Sequence, residues 1–459
     1  MDHPANSGGY RPIALVVAFA LFMQQLDATV LTVALPAMSR DLGVPVTDLS
    51  LALTAYLVAL AMFIPASGRL ADRFGSRTVF CGAIVVFVLG SVACAQAIGA
   101  NSLIAARFVQ GLGGAMMMPV GRLVLLRSVR REDIAAALSW LVMPALVGPI
   151  LGPLIGGFFV TYLDWRWIFY VNVPIGIVGI VFALFSIPQV RAEARSRFDL
   201  TGFALSGVAL ACLVFGFEMV SRGAHMAVIA LLLGGGASLF AAYVFHAQRT
   251  TDPILDLSLL RIPTFGLSVA AGSLVRVTQG AQPFLLPLMF QLGFGLSAAA
   301  TGAITMTGAI GALAMKPIAP SILRRFGYRD SLTIFGAAAS LGYATCAFFR
   351  PGWPIPAMVA VLLLSGFSMS FLFTGYNAIA FVDVDKARMS AATSFYATLQ
   401  QLSLSLGICL AAAALQSCTR LWDACDTELN RFTVAFLSVT VMSALSIIWN
   451  RRFAANAGR

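Results

Sequence analysis

The chain has 459 residues, 59% of them hydrophobic and only 11% charged, with a formal net charge of +11. Soluble domains carry about 45–50% apolar and about 25% charged residues, so a water-soluble globular protein is excluded: this chain could not cover its surface with so few charges, whereas a lipid-facing surface needs none. Nor is the positive charge a nucleic-acid signature. Only Lys316 and Lys386 are lysines, and the arginines fall in short clusters between apolar runs rather than along one face or in a tail, which is the positive-inside pattern of a membrane protein.

A helix needs roughly 20 apolar residues to cross the hydrocarbon. Fourteen runs meet that need, at 12–36, 49–68, 78–98, 102–124, 135–161, 166–187, 200–219, 225–245, 264–290, 297–319, 330–349, 354–380, 390–416 and 431–450. The first has no small-residue cleavage site after it, so it reads as an anchor rather than a removable signal. The seventh and eighth are the least regular, because Glu218, Arg222 and His225 crowd their junction. With the N-terminus inside, Arg69, Arg73, Arg77, Arg122, Arg127, Arg130, Arg131, Arg191, Arg195, Arg197, Arg324, Arg325 and Arg329 are all cytoplasmic. Only Arg40, Arg166, Arg222, Arg350, Arg420 and Arg431 lie outside. That bias places both termini in the cytoplasm and requires an even number of spans.

Arg73-Phe74-Gly75-Ser76-Arg77 after span two recurs as Arg325-Phe326-Gly327-Tyr328-Arg329 after span ten. Two related halves with a substrate between them are a common transporter plan. The expected architecture is therefore an all-α membrane protein of two six-helix bundles, 1–187 and 263–459, joined through 188–262 by two extra transmembrane helices with cytoplasmic flanks.

Four segments carry chemistry. In span one, Leu26-Asp27-Ala28-Thr29-Val30-Leu31-Thr32-Val33-Ala34-Leu35-Pro36 holds the acid placed well within a span. An intramembrane carboxylate is costly and is read as functional, here as an ion carrier or as the partner of Arg107. After span two comes Gly68-Arg69-Leu70-Ala71-Asp72-Arg73-Phe74-Gly75-Ser76-Arg77. There Gly68 would admit a close helix neighbour, and Asp72 would sit near the N-terminus of span three, where negative charge is favoured. Span four holds Arg107-Phe108-Val109-Gln110-Gly111-Leu112-Gly113-Gly114-Ala115. Arg107 must face a cavity or a partner, or snorkel to the outer interface about 8 Å away. Span five holds Gly148-Pro149-Ile150-Leu151-Gly152-Pro153-Leu154-Ile155-Gly156-Gly157. Gly148, Gly152 and Gly156 recur every four residues on one face, so a neighbouring backbone can come very close, while Pro149 and Pro153 remove intrahelical bonds.

Over nearly the whole chain these segments resemble the fourteen-span drug:proton antiporter family of the major facilitator superfamily. Ser76, Thr32 in place of the family's usual Asn, and Arg324 at the position matching Asp72 are departures. The resemblance implies that Asp27 carries protons with Arg107. It makes Gly68, Asp72, Arg73, Gly75 and Arg77 a latch between the bundles. It packs Gly148, Pro149, Gly152, Pro153, Gly156 and Gly157 across the bundle interface of an exporter. Trp165-Arg166-Trp167-Ile168-Phe169-Tyr170-Val171-Asn172-Val173-Pro174 and Leu285-Leu286-Pro287-Leu288 extend the likeness more diffusely.

Outside the shared motifs, Arg276 near the middle of span nine should face water, a ligand or an acid. Candidate substrate contacts are Gln24, Gln25, Gln110, Arg276, Gln279, Gln282, Asn377 and Gln400, with Gln401 of lower weight. Lys316 reads as snorkelling and Glu218 as interfacial. The methionines Met116, Met117, Met118 and Met289 read as packing residues. Five of the seven cysteines sit in apolar runs; Cys418 and Cys425 flank the longest outer loop. An oxidising periplasm would permit a bridge between those two. Seven residues of continuous helix span about 10.5 Å, beyond the roughly 7 Å limit for Cα atoms, so the bridge needs a bend and stays open.

No metal-ligand spacing and no G-x-x-x-x-G-K-[ST] loop occurs, which speaks against an ATP-driven pump and an ATPase subunit. No nucleophile, metal cluster or paired acids at depth supports a membrane-embedded enzyme. The expectation is a proton-coupled exporter of small amphipathic molecules or drugs, multi-pass in a bacterial inner membrane. Protons serve as the coupling ion, there is no other cofactor, and the partners are a small-molecule substrate and the lipid bilayer. A proton-coupled exporter or importer of an anionic or zwitterionic metabolite is the alternative, since one buried acid faces the two bases Arg107 and Arg276.

Overall fold

The structure, a computed structural model, describes residues 10–128, 134–189, 198–221, 224–251, 253–385, 388–421 and 427–454, and among these there is no strand. The described residues run as sixteen α-helices. The first nine are α1 Tyr10–Leu42, α2 Val46–Phe74, α3 Ser76–Ala95, α4 Ala100–Ser128, α5 Ile134–Tyr162, α6 Trp167–Tyr170, α7 Asn172–Ser186, α8 Leu200–Ser221 and α9 Met226–Ala247. The remaining seven are α10 Pro263–Leu288, α11 Ala298–Met315, α12 Ala319–Phe326, α13 Tyr328–Cys346, α14 Ile355–Ala380, α15 Met389–Leu421 and α16 Glu428–Asn450. In lipid every backbone polar group must find its partner inside the protein, and a helix does this within one segment.

Each of the fourteen expected runs lies on a helix. Eleven helices of the described residues are long and apolar enough to cross a membrane by length and composition, which does not establish the count of fourteen. α10 and α13 fall outside that set, and α5 contributes only the shorter apolar stretch Val147–Tyr162. In α10 the polar side chains of Arg276, Gln279 and Gln282 dilute the apolar run.

Two expected single runs are broken. The 166–187 run divides into α6 and α7 at Val171. Pro174 lies in the first turn of α7, where its missing N–H costs nothing to that helix but cannot continue the one before it. The 297–319 run stops at Met315 and resumes as α12 at Ala319, around Pro317 and Pro320. A third irregularity closes α10: Pro283 and Pro287 lie within it, and it passes into a π-helical turn at Met289–Gly293, the local rearrangement that lost i→i−4 bonds produce.

The repeated Arg-Phe-Gly-x-Arg segments make the same turn. Gly75 ends α2 with φ 93° and Gly327 ends α12 with φ 77°. Each donates its N–H to the carbonyl four residues back, Ala71 at 2.9 Å and Leu323 at 3.0 Å. A side chain would strain that left-handed backbone, so glycine recurs there.

Packing differs between the two ends of the molecule. At the end carrying Trp165, one apolar cluster joins Leu26, Val30 and Phe169 to Phe284, Leu288, Ile304, Phe349 and Phe436, and so draws on helices from α1 through α16. At the end carrying Gly75 the clusters are separate. One uses α1–α4 and α7, with Val17, Phe80 and Phe87; another uses α10–α14, with Val275, Met315 and Phe371. α8 and α9 pack on each other, and α8 lies against both α2 and α15, sealed by Val58, Ala61, Leu210, Val214 and Leu402.

Candidate functional site

Asp27 is 3% exposed and Arg107 is 1% exposed. Arg107 does not snorkel. Its Nη1 donates to Asp27 Oδ2 at 2.6 Å and to Gln110 Oε1 at 2.6 Å. Gln110 follows Arg107 by three residues on α4, the spacing that puts two side chains on one helix face. Its Nε2 donates to Asp27 Oδ1 at 2.9 Å. The guanidinium lies 5.4 Å from the Tyr56 ring centroid and 5.2 Å from that of Phe169. A buried ion pair is tolerated only when its geometry is good and its remaining lone pairs are satisfied, and here both carboxylate oxygens are occupied.

Sequence reasoning missed the third donor. Asn172 Nδ2 donates to Asp27 Oδ1 at 2.9 Å and to Ser91 Oγ at 3.0 Å. Ser91 in turn donates to the Phe169 carbonyl at 2.9 Å. Asn172 is the first residue of α7, directly after Val171. The signal was the Asn172-Val173-Pro174 sequence itself. Cys94 also reaches in, its thiol 3.7 Å from Gln110 Oε1. Gly90 of α3 makes room, since a Cβ there would meet the Gln110 backbone at 2.6 Å.

The candidates from span one separate. Gln24 is buried beside Tyr56 and Gly114, whereas Gln25 is exposed and its Cβ faces Gly148. Consecutive helical residues point about 100° apart, so the two amides do not share a surface.

The α5 glycines do allow close approach. A Cβ on Gly148 would meet Gln25 and Leu26, and one on Gly156 would meet the Val30 carbonyl at 2.9 Å. Gly152 faces Thr29 and the Leu26 carbonyl. Gly157 turns instead to α11, where a Cβ would lie 2.5 Å from the Ala298 carbonyl, and Gly302 of α11 faces the Pro153 carbonyl. Pro149 lies between Gly148 and the Gly152-Pro153 pair on the same helix. Thus α5 touches α1 on one side and α11 on the other. Thr161 and the Ala299 N–H are bonded at 3.1 Å, and Gln291 in the π turn donates to the Val33 carbonyl at 2.9 Å.

The expected role of Gly68 in close helix approach is not met: a Cβ there would have nothing within 4 Å, because Gly68 faces away from α2's packed side. Gly75 packs instead on the Gln189 side chain. That amide accepts from the Arg77 N–H at 3.1 Å and donates to Thr78 Oγ1 at 2.8 Å. Arg77 also reaches the Leu184 carbonyl at 3.4 Å. Arg73 is exposed with its guanidinium 5.4 Å from the Phe74 ring, and Asp72 is half-buried in the last turn of α2.

In the second half, Arg276 is 3% exposed. Its Nη2 donates to Tyr396 Oη at 2.9 Å. Gln279, Gln282, Gln400 and Gln401 are half-buried, and Asn377 donates back to the Phe373 carbonyl of its own helix at 2.6 Å. Lys316 does not snorkel: its ammonium donates to Thr374 Oγ1 at 3.2 Å and lies 5.2 Å from the Phe373 ring centroid. Glu218 lies three residues from the end of α8. It is fully buried and accepts from Ser50 Oγ of α2 at 2.8 Å. Among the described residues no cluster of His, Cys, Asp or Glu could hold a metal. The Cys418 and Cys425 side chains lie outside the described residues.

A family model described as Major Facilitator Superfamily matches residues 17–408. HsrA of Haemophilus influenzae, named as a transport protein, is 35% identical over 446 residues, covering 97% of this chain and 96% of its own. MdtD of Salmonella paratyphi A, named for multidrug resistance, is 38% identical over 404 residues, covering 87% and 85%. Among solved structures, a transporter of the POT family in complex with a thioalcohol-conjugated peptide aligns at TM-score 0.70 and 16% identity, covering 95% of each chain. A D-xylose-proton symporter aligns at 0.68 and 12%, covering 96% of this chain and 97% of its own. At such identities the likeness shows the fold alone.

Proposed function

The chain belongs to the major facilitator superfamily, and from that premise we propose that this multi-pass membrane transporter is a proton-coupled exporter of small amphipathic molecules, working by alternating access. All fourteen long apolar runs cross the membrane as two six-helix bundles, 1–187 and 263–459, with the 188–262 segment as a linker pair. The arginine clusters put the Gly75 end and both termini in the cytoplasm of a bacterial cell, across its inner membrane. On that orientation the Trp165-end seal closes the outward side, and the parted clusters leave the inward side open.

The observation that carries the coupling is the Asp27–Arg107 pair, with side chains 1% exposed and bonded at 2.6 Å. Protonating Asp27 removes the negative charge that Arg107, Gln110 and Asn172 all address, on α1, α4 and α7 together. Arg107 is then held by Gln110 alone. A proton moving inward gains about 2.3 kcal/mol per 100 mV, and delivering it only through a cycle that carries substrate outward couples the two gradients. The latch residues Asp72, Arg73, Gly75 and Arg77 hold the cytoplasmic end between strokes. Gly148, Gly152 and Gly156 fix α5 on α1 within the first half, whereas Gly157 of α5 and Gly302 of α11 form the surface on which the halves rock, and the names of the related proteins favour drugs among the substrates.

Asp27→Asn in proteoliposomes is expected to abolish uphill, gradient-driven efflux while substrate exchange continues. Uphill efflux at the wild-type rate by Asp27→Asn would refute the coupling role. Counterflow in inverted vesicles separates export from import.

A further inference from the structure

Arg107 and Asp27 neutralise one another, but the second half holds a positive charge with no such partner. α10, α11, α14 and α15 contain no Asp or Glu. Arg276 of α10 is only 3% exposed, and its Nε has no hydrogen-bond partner. The oxygen its Nη2 reaches belongs to Tyr396, a neutral group that is itself 3.1 Å from Ser268 Oγ. The guanidinium lies 4.6 Å from the Tyr396 ring centroid and 5.9 Å from that of Phe373. Lys316, directly after α11, faces the same Phe373 ring at 5.2 Å, and its ammonium bonds the neutral Thr374 hydroxyl. Among the described residues no ion pair involves either cation.

Two cations around one aromatic ring in a membrane interior are costly, and cation–π contact offsets only part of that. A long side chain could carry its charge out to the interface, yet both turn inward to α14. The site lies on the Gly75 side of the seal at the Trp165 end. Phe284 belongs to the cluster that seals the Trp165 end, and Arg276 is eight residues nearer the Gly75 end, about 12 Å along the helix. There the clusters of the two halves are separate, while α10 and α1 are neighbours across the seam.

We propose that Arg276, Lys316, Phe373 and Thr374 form an anion subsite, which takes a carboxylate of a small organic substrate between the two cations with the substrate's apolar body against Phe373. The orphan Arg276 Nε and the remaining hydrogens of the Lys316 ammonium are the donors for the carboxylate oxygens, since charge-assisted bonds of this kind are the strong ones. The subsite lies on a different helix set from the Asp27–Arg107 pair, so proton and substrate occupy separate places. This rests on the transporter reading above and narrows its substrate to organic anions or zwitterions.

The test uses the purified full chain in nanodiscs of zwitterionic lipid, and three probes of one shape: 4-phenylbutyrate, 4-phenylbutanamide and 4-phenylbutylamine. Binding is read by thermal shift and by calorimetry, with no gradient, so a failure of proton coupling leaves the result untouched. The carboxylate is expected to bind more tightly than the amide or the amine. Lys316→Gln and Arg276→Gln should each weaken it about tenfold or more, and Arg276→Lys should retain part of it. Lys316 is only half-buried, so its variant stands as the test if Arg276→Gln does not fold. Absence of any preference for the carboxylate, or its survival in Lys316→Gln, overturns the subsite. Displacement of the carboxylate by anionic phospholipid added to the nanodisc would assign the pair to a lipid headgroup and equally overturn it.

Discussion

Asp27 receives donors from Arg107, Gln110 and Asn172, so truncating any one leaves a buried charge or amide unpaired. Removing one partner of a buried ion pair costs about 3–5 kcal/mol, well above the loss of an ordinary surface contact. Asp199, outside the spans, shows the same logic where pH can be varied directly. Burial pushes its carboxyl up, but the Gly202 N–H, His246 and the Ile254 N–H together outweigh that and hold it below the usual 3.8. A carboxyl lowered in the folded state stabilises above its unfolded pKa, and the contribution disappears as pH falls through the folded value. Asp199→Asn should therefore destabilise the protein by about 1–3 kcal/mol at neutral pH, with its melting curve converging on wild type below about pH 3.8. A gap that stays constant through that range would mean the charge of Asp199 contributes nothing. At this scale the ionised residues were legible in the sequence, because Asp27, Arg107 and Arg276 are individually expensive in lipid. Asn172 and Ser91 were not, since uncharged polar residues are common in membrane helices and only the third dimension brings them to Asp27. Lys316 was misread for a related reason: position near a span end says nothing about which way a side chain turns.

α5 has a neighbour, α11, that leaves no room for a side chain where the two helices meet. A Cβ on Gly302 would fall on the Pro153 carbonyl, and one on Gly157 on the Ala298 carbonyl. Both obstacles are backbone, which cannot rotate aside, so α5 and α11 would have to separate. Gly302→Ala is expected to cost about 1–3 kcal/mol and to reduce efflux, whereas Gly68→Ala, which meets open space, should stay within about 0.5 kcal/mol of wild type. Melting temperatures of the purified variants decide this, and a Gly302→Ala protein as stable as wild type would contradict the contact. The α5 glycine ladder was readable because its four-residue spacing is itself the geometry of close packing. The division of α6 from α7 was not, since it is a single residue, Val171, whose backbone stays helical at φ −58° and ψ −27°. Pro174, and Pro317 with Pro320 after α11, were the local signs that these runs could not remain single helices.

Across the whole molecule, the two ends differ in how the halves meet. At the Trp165 end an apolar cluster spans both, reinforced by the Thr161–Ala299 and Gln291–Val33 bonds; at the Gly75 end the clusters are parted. Alternating access requires the first end to open in the other state. A coupling proton can shift that equilibrium only by its differential free energy in the two states, about 2.3 kcal/mol per 100 mV plus the pH difference. The cost of opening the apolar seal must therefore be nearly matched by apolar burial as the Gly75 end closes. Fixing the seal covalently tests the requirement without altering Asp27 or Arg107. Thr161 and Ala299 approach to 3.1 Å between side chain and backbone, close enough for paired cysteines to bridge. In a chain with its native cysteines replaced, Thr161→Cys with Ala299→Cys should transport when reduced and stop when oxidised. Either single cysteine should be insensitive to oxidant, and reductant should restore the pair. Undiminished transport by the oxidised, fully cross-linked pair would show that the halves never separate at this seam, and the rocking cycle would have to be abandoned.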